Sequence, residues 1–152
     1  KLGFPTNDAY TAELEPWTLG LASRYRERRP EFEAAVATLH ASVAIYEKFF
    51  LAWDVLLTPV MTRLPPRVGE LAPDLPFETQ YERASTLVGF TPVQNATGAP
   101  AMSVPLHWSK SGLPIGSHFA AKAGDERTLL ELAYELEAAH PWAGRRPPVA
   151  AA

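Results

Sequence analysis

The side chains that could attack a carbonyl carbon in this sequence are serines close to histidines. Two pairs have suitable spacing, Ser103 with His107 and Ser117 with His118. A serine attacks an amide only when a neighbouring base removes its proton. Neighbours along a strand point to opposite faces, so Ser117 and His118 cannot readily address one another if they lie on a strand. The sequence contains no G-x-S-x-G elbow that would present a nucleophilic serine.

Metal chemistry has little support in the residue pattern. The four histidines, His40, His107, His118 and His140, do not lie at metal-binding spacing from one another or from a carboxylate pair. Because there is no cysteine, a thiolate zinc site, a disulfide and a cysteine nucleophile are excluded. Glu131 and Glu135 lie four residues apart on a polar helix face, where we expect them to be solvated. We therefore expect no metal and no cofactor.

Charge and hydropathy limit the classes of partner. The 152 residues carry 14 Lys and Arg against 17 Asp and Glu, a net charge of −3, so there is no basic field to hold nucleic acid or anionic lipid. No apolar run approaches the roughly 18–20 residues that a membrane span requires. The length fits one domain. Because the sequence begins at Lys1 instead of a methionine, we expect a part of a longer chain.

Apolar periodicity predicts four helices. The strongest pattern runs over residues 30–52, where one stripe recurs at spacings of four and three: Phe32, Val36, Leu39, Val43, Tyr46 and Phe50. Weaker patterns predict helices over residues 15–28 and 78–88. A last helix follows Asp125, its predicted cap, and ends before Pro141. We expect its buried face to consist of Leu129, Leu132, Ala133 and Leu136.

Between these helices lie three predicted strands, which makes the fold class α/β. The apolar run over residues 54–59 is typical of a strand buried on both faces. Residues 101–106 and 113–121 predict a hairpin joined by a turn over residues 109–112. Small residues on the second hairpin strand, such as Gly116, imply that another backbone element packs closely there. Residues 60–76 contain four prolines and predict a long loop, whereas residues 90–100 are too polar and broken for a core element.

Three short stretches carry a family resemblance. Residues 95–105 (NATGAPAMSVP), 112–116 (GLPIG) and 123–126 (AGDE) follow one another in the order and spacing of the C-terminal part of the amidase signature hydrolases. Residues 14–18 and 54–59 also resemble that family. Among its branches, the sequence is similar to hydrolases of 6-aminohexanoate oligomers. The resemblance implies a mixed, twisted sheet covered by helices, and hydrolysis of a small-molecule amide through a Ser, cis-Ser, Lys triad without a metal.

The sequence departs from the family at the triad itself. The resemblance places the Gly/Ser-rich region and the catalytic lysine upstream of everything in this sequence, and no Gly-Gly-Ser-Ser run occurs within it. We therefore assign no catalytic residue, and Lys48, Lys110 and Lys122 are not substitutes. Residues 1–152 are interpreted as the C-terminal portion of a single amidase domain, inactive alone. The expected partner is the N-terminal half of the same enzyme.

The resemblance also indicates a substrate pocket. It places the turn at Val88, Phe90 and Thr91, ahead of Asn95, near the acyl side of the substrate. Relatives that hydrolyse glutamine carry an acidic residue near Val88 to hold an ammonium group, so an apolar Val88 implies an uncharged or aliphatic acyl portion. The alternative is that Val88 and Phe90 pack the core. For Asn95 and Gly98, a role in shaping the turn is favoured over contact with the substrate.

Two other functions stay open from the sequence. One is a non-catalytic binding or scaffold module that uses the Pro-rich loop as a contact surface. The other is an enzyme assembled from separately encoded halves. A cytoplasmic location and a homo-oligomer are further expectations, as is exposed apolar surface that a missing half of the domain would cover.

Overall fold

The computed structural model describes residues 14–146, which form five α-helices and three β-strands. In chain order they are α1 (Pro16–Glu27), α2 (Phe32–Phe49), β1 (Leu56–Pro59), α3 (Phe77–Leu87), α4 (Pro92–Thr97), β2 (Ala101–Trp108), β3 (Pro114–Ala120) and α5 (Glu126–Ala139). A 3-10 turn at Arg29–Glu31 joins α1 to α2, so the long predicted helix begins two residues late. The α/β class predicted from the sequence is confirmed.

The three strands form one antiparallel sheet in the order β1-β3-β2. β2 and β3 are the predicted hairpin, and Gly112 takes a φ of +82° in its turn, a conformation that glycine adopts without steric cost. The β2–β3 register shifts between Val104 and His107. Pro105 lies in this shift, and it has no backbone N–H to contribute to the ladder.

One face of the sheet packs against α5 and forms the core. Val104, Phe119, Ala121 and Leu129 are its buried members, with Leu132 and Leu136 packed against them. The predicted inner face of α5 is therefore confirmed. Asp125 precedes the helix as expected, but its carboxylate accepts a hydrogen bond from the Thr128 hydroxyl at 2.9 Å and caps no backbone N–H.

β1 departs from its predicted environment. The apolar run predicts burial on both faces, but β1 lies at the edge of the sheet and its side chains alternate between half-buried and exposed. Leu57 is 61% exposed. The prediction of two buried faces is therefore wrong for the residues that the structure describes. β3 alone pairs with β1, and the packing that buries Phe119, the cross-strand neighbour of Leu57, does not extend over Leu57.

The helices on the N-terminal side pack through close contacts. A Cβ on Gly20 in α1 would lie 2.0 Å from the Phe77 ring of α3, so only glycine lets these helices approach so closely. Trp17 adds ring contacts with Phe77 and Tyr81 at 5.8 and 6.3 Å between centroids. On the predicted stripe within α2, only Tyr46 is buried. None of the helices between residues 14 and 146 has the length and apolar character needed to cross a membrane.

Candidate functional site

An apolar groove of about 410 Å³ lies between the start of the Pro-rich loop and the β2–β3 hairpin. One wall is the backbone that leaves β1, and the other is the start of β3. Ser103 of β2 contributes a hydroxyl to a lining that is otherwise mostly apolar. The lining residues are Pro59, Val60, Met61, Thr62, Arg63, Leu64, Pro65, Ser103, Pro114, Ile115 and Gly116.

The groove depends on Gly116. A Cβ at this position would lie 2.6 Å from Ser103 Oγ and 2.7 Å from Val60 Cγ2, closer than real Cβ atoms approach other atoms. Glycine therefore lets the side chains of Val60 in the loop and Ser103 in β2 pack against the start of β3. The close packing predicted here is present, but its partners at Gly116 are the side chains of Ser103 and Val60 and not another backbone element.

A row of polar side chains crosses the sheet next to the groove. His118 lies opposite Thr58 on β1 and opposite Ser103 on β2. His118 is buried, and its Nδ1 lies 3.0 Å from Thr58 Oγ1, at hydrogen-bond distance. Burial lowers the pKa of His118, because the charged imidazolium loses its hydration there. The row therefore holds a histidine whose neutral form is favoured.

The structure does not support the serine–histidine pairs considered from the sequence. Ser117 and His118 lie on opposite faces of β3, as expected for strand neighbours. Ser103 lies opposite His118 instead of beside His107, and within residues 14–146 no hydrogen bond joins Ser103 to either histidine. The cross-strand pair was missed because the register shift at Pro105 sets it. If the register of the pairs nearest the turn, such as His107 with Ile115, continued along the strands without a shift, Ser103 would lie opposite Phe119.

All four residues predicted for the substrate pocket lie in the α3–α4 connection and in α4. Val88 ends α3 and is 50% exposed, and Phe90 is also exposed. Thr91 precedes α4 and is half-buried, whereas Asn95 is exposed on α4. None of the four lines the apolar groove. In the described part of the chain, Val88 and Phe90 are therefore not packed in the core.

Thr62 connects the groove to residues 88–95, which carry the four predicted pocket residues and are called the pocket segment below. Its backbone N–H donates to the carbonyl of Leu87 at 3.2 Å, and its hydroxyl donates to the carbonyls of Thr86 and Leu87. A Cβ on Gly89 would lie 2.6 Å from Thr62 Cγ2, so this approach also requires glycine. The groove wall and the α3–α4 connection are therefore held as one unit.

Gln94 fixes the pocket segment from the other side and was missed by the sequence reasoning. It is buried on α4, which corrects the expectation that residues 90–100 hold no core element. With its Oε1 towards Tyr46, Gln94 accepts a hydrogen bond from the Tyr46 hydroxyl at 3.3 Å. Its Nε2 then donates to the carbonyls of Phe90 and Thr91 at 3.3 and 3.2 Å. Gly98 ends the helix with a φ of +70°, which confirms its turn role.

The Pro-rich loop between β1 and α3 contains no helix or strand, as predicted, and polar contacts hold it. Arg63 forms a salt bridge with Glu70, and the backbone N–H of Arg67 donates to the same carboxylate at 3.2 Å. The Arg63 hydrogen bond, followed by that from Arg67, lowers the pKa of Glu70. Arg83 of α3 donates to the Glu70 carbonyl at 2.7 Å.

Other chemistry-bearing groups are dispersed. Between residues 14 and 146, no three side chains of His, Asp or Glu come together as ligands for a metal ion. Lys48, Lys110 and Lys122 are exposed. In the described part of the chain, the site offers an apolar wall, a neutral buried histidine and backbone held by hydrogen bonds. It offers no nucleophile activated by a base.

Comparisons with known proteins agree on one family. A sequence profile described as Amidase matches residues 5–130. The protein named as amidase AmiC in Mycobacterium bovis is 45% identical over 130 residues, which cover 86% of this chain and 27% of that protein. The 6-aminohexanoate-cyclic-dimer hydrolase of a Pseudomonas species is 38% identical over 125 residues, which cover 76% of this chain and 25% of that protein.

The fold comparison agrees with the sequence matches. A solved structure of 6-aminohexanoate cyclic dimer hydrolase superposes with a TM-score of 0.79 at 32% identity, covering 95% of this chain and 31% of that chain. The present chain therefore spans about a quarter to a third of the length of these relatives.

Proposed function

The chain belongs to the amidase family, and we propose that it forms the C-terminal portion of a single amidase domain that hydrolyses carbon–nitrogen amide bonds. The match of residues 5–130 to the family carries this proposal. The length of the relatives, about three times that of this chain, supports placing the rest of the enzyme outside these residues.

In this proposal the chain supplies framework and pocket wall, and the upstream portion supplies the reacting groups. Amide hydrolysis by a serine needs a base for the hydroxyl proton and donors for the oxyanion. Among the described residues, Ser103, which lies opposite the buried His118, makes no hydrogen bond with it. The N-terminal half of the same enzyme is therefore the proposed partner, and the 152-residue chain alone is expected to be inactive.

For substrate, we propose a small amide whose acyl portion is uncharged or aliphatic. Val88 and Phe90 are apolar and exposed in a segment whose backbone is fixed by Thr62 and Gln94. A fixed apolar wall contacts an aliphatic chain without desolvating a charge. The name of the relative that acts on a 6-aminohexanoate cyclic dimer supports an aliphatic amide as the first compound to test.

The experiment compares two substitutions in the full-length protein. Val88→Asp places a carboxylate in the proposed pocket, and Val93→Asp places one on α4 at similar exposure, 43% against 50%. We expect Val88→Asp to shift the ratio of kcat/KM values from a neutral aliphatic amide towards an amino-bearing amide by about tenfold, since one charge contact is worth about 1.4 kcal/mol. Val93→Asp is expected to leave that ratio unchanged.

An unchanged ratio in Val88→Asp would remove Val88 from the pocket and favour the alternative that it packs against other protein surface. A full-length protein that hydrolyses no simple amide would favour the binding or scaffold module. The cytoplasmic location and a homo-oligomer are also proposals. Fractionation of cells that express the tagged full-length protein, and light scattering of the purified protein, test them.

A further inference from the structure

We propose that a cavity where α1 meets the start of α2 binds a small organic monocarboxylate, that is, one carboxylate carried on an apolar body. The cavity measures about 330 Å³ and is called the elbow cavity below. The inference goes beyond the proposed function and does not depend on it, because ligand binding is measured without turnover. The lining residues that carry the argument are Leu21, Arg24, Tyr25, Arg28, Phe32 and Tyr81.

The connection between the two helices concentrates positive charge. Residues 24–29 contain four arginines and one glutamate, a net charge of +3, whereas the whole chain carries −3. Two of these arginines, Arg24 and Arg28, line the elbow cavity. A local excess of one sign of charge attracts ligands of the opposite sign. The charge of the lining therefore favours an anion.

The two lining arginines differ in their partners. Arg28 donates to the carboxylate of Glu31, which also lines the cavity, at 3.1 Å from Nε and 2.5 Å from Nη2. This ion pair balances its own charge. Arg24 is half-buried, and within residues 14–146 it forms no salt bridge. In the described part of the chain, the lining therefore offers a ligand one cation without a counter-ion. One such cation matches a monocarboxylate better than a phosphate ester, which carries a charge of about −1.5 to −2.

Tyr81 of α3 holds the Arg24 guanidinium in place. Arg24 Cζ lies over the Tyr81 ring, 4.2 Å from its centroid. The ring is itself packed against Trp17 and Phe77, at 6.3 and 5.6 Å between centroids. A guanidinium that lies over a ring keeps the N–H donors at its edge, and their fork matches the two oxygens of a carboxylate. Because the side chain is held before a ligand arrives, less rotamer entropy is lost on binding.

The rest of the lining suits an apolar body. Leu21, Tyr25 and Phe32 are 41%, 50% and 51% exposed. The Tyr25 and Phe32 rings meet edge to face at 5.6 Å between centroids, which joins α1 to α2 at the cavity. Covering these side chains with an aliphatic chain removes apolar surface from water, which an inorganic anion would not do. The volume of about 330 Å³ lies within the range of roughly 300–1,000 Å³ that is usual for small-molecule sites.

The experiment measures binding of hexanoate to the full-length protein by isothermal titration calorimetry. Arg24→Gln removes the cation. Arg26→Gln is the matched control, because Arg26 lies on the same helix but outside the lining of the elbow cavity. We expect Arg24→Gln to weaken hexanoate binding at least about tenfold, since it removes a charge-assisted contact, and Arg26→Gln to leave it unchanged. Equal affinities for wild type and Arg24→Gln, an equal loss in both variants, or no binding to wild type would overturn the proposal.

Two further ligands separate the charge from the apolar body. 1-Hexanol has the same chain without the charge, and inorganic phosphate has charge without the chain. We expect each to bind at least about tenfold more weakly than hexanoate. Phosphate that binds as tightly as hexanoate would overturn the role of the apolar lining, and 1-hexanol that does so would overturn the role of Arg24.

A photo-reactive ligand locates the site without any substitution. Hexanoate that carries a diazirine at its far end should label the wild-type protein at Tyr25, Phe32 or their neighbours in the lining, and mass spectrometry of the peptides identifies the position. Excess hexanoate should suppress this labelling. Labelling confined to other parts of the protein would overturn the assignment of the elbow cavity.

Discussion

Thr58 on β1 and His118 on β3 are joined across the sheet, with Thr58 Oγ1 3.0 Å from His118 Nδ1. The Thr58 hydroxyl lies at hydrogen-bond distance from one ring nitrogen of the buried His118 imidazole, next to the apolar groove. This contact ties the edge strand, from which the groove wall departs, to the central strand of the sheet. Burial of the same imidazole lowers the pKa of His118, which makes the stability of this part of the fold sensitive to pH.

Stability is expected to fall in mild acid through His118. Burial holds its folded-state pKa below the unfolded value of about 6.5, so the unfolded chain takes up a proton first. The contribution is fully present above pH 6.5 and is lost as the pH falls from there through the folded-state pKa. Urea unfolding of the full-length protein between pH 7.5 and 5 measures it. His118→Gln should reduce the acid-induced loss, and a loss identical to that of the wild type would rule out His118 as its source.

Gly116→Ala is expected to destabilise the protein and disturb the groove. The added Cβ would meet Ser103 Oγ at 2.6 Å and Val60 Cγ2 at 2.7 Å, so loop and strand must separate. Overpacking of this kind costs about 1–3 kcal/mol. Gly144→Ala is the matched control, because no atom lies within 4 Å of its Cβ position. Denaturant midpoints measure the difference, and equal midpoints for both variants would contradict the close contact.

Tyr46→Phe is expected to loosen the segment that carries Phe90 and Thr91. The substitution removes the hydroxyl that donates to buried Gln94, and an unsatisfied buried acceptor costs about 1–3 kcal/mol. Amide hydrogen exchange over residues 88–92 should accelerate. Tyr134→Phe, exposed on α5, is expected to change neither stability nor exchange. Unaltered exchange in Tyr46→Phe would show that Gln94 does not hold the segment.

Local sequence patterns were sufficient to predict most of the helices and strands. Helical spacing predicted α1, α2, α3 and α5, and turn chemistry predicted the hairpin, because these signals lie within a few residues of one another. α4 was missed because its buried member is the polar Gln94, whose partner Tyr46 lies 48 residues away. Propensity contains no information about such a contact.

The site was less predictable than the fold. The pairing of Ser103 with His118 depends on the register shift near Pro105. An ideal hairpin, which has no such shift, would pair Ser103 with a different residue. The edge position of β1 was missed for a different reason. Its apolar sequence suits a sheet larger than the three described strands.

We propose that these residues frame an amide-hydrolysing site whose reacting groups lie in the upstream polypeptide. The most direct measurement compares release of amine from a neutral aliphatic amide by the full-length protein and by residues 1–152 purified in the same way. We expect turnover by the full-length protein and none by the shorter chain. Turnover by residues 1–152 at a rate comparable to that of the full-length protein would contradict it.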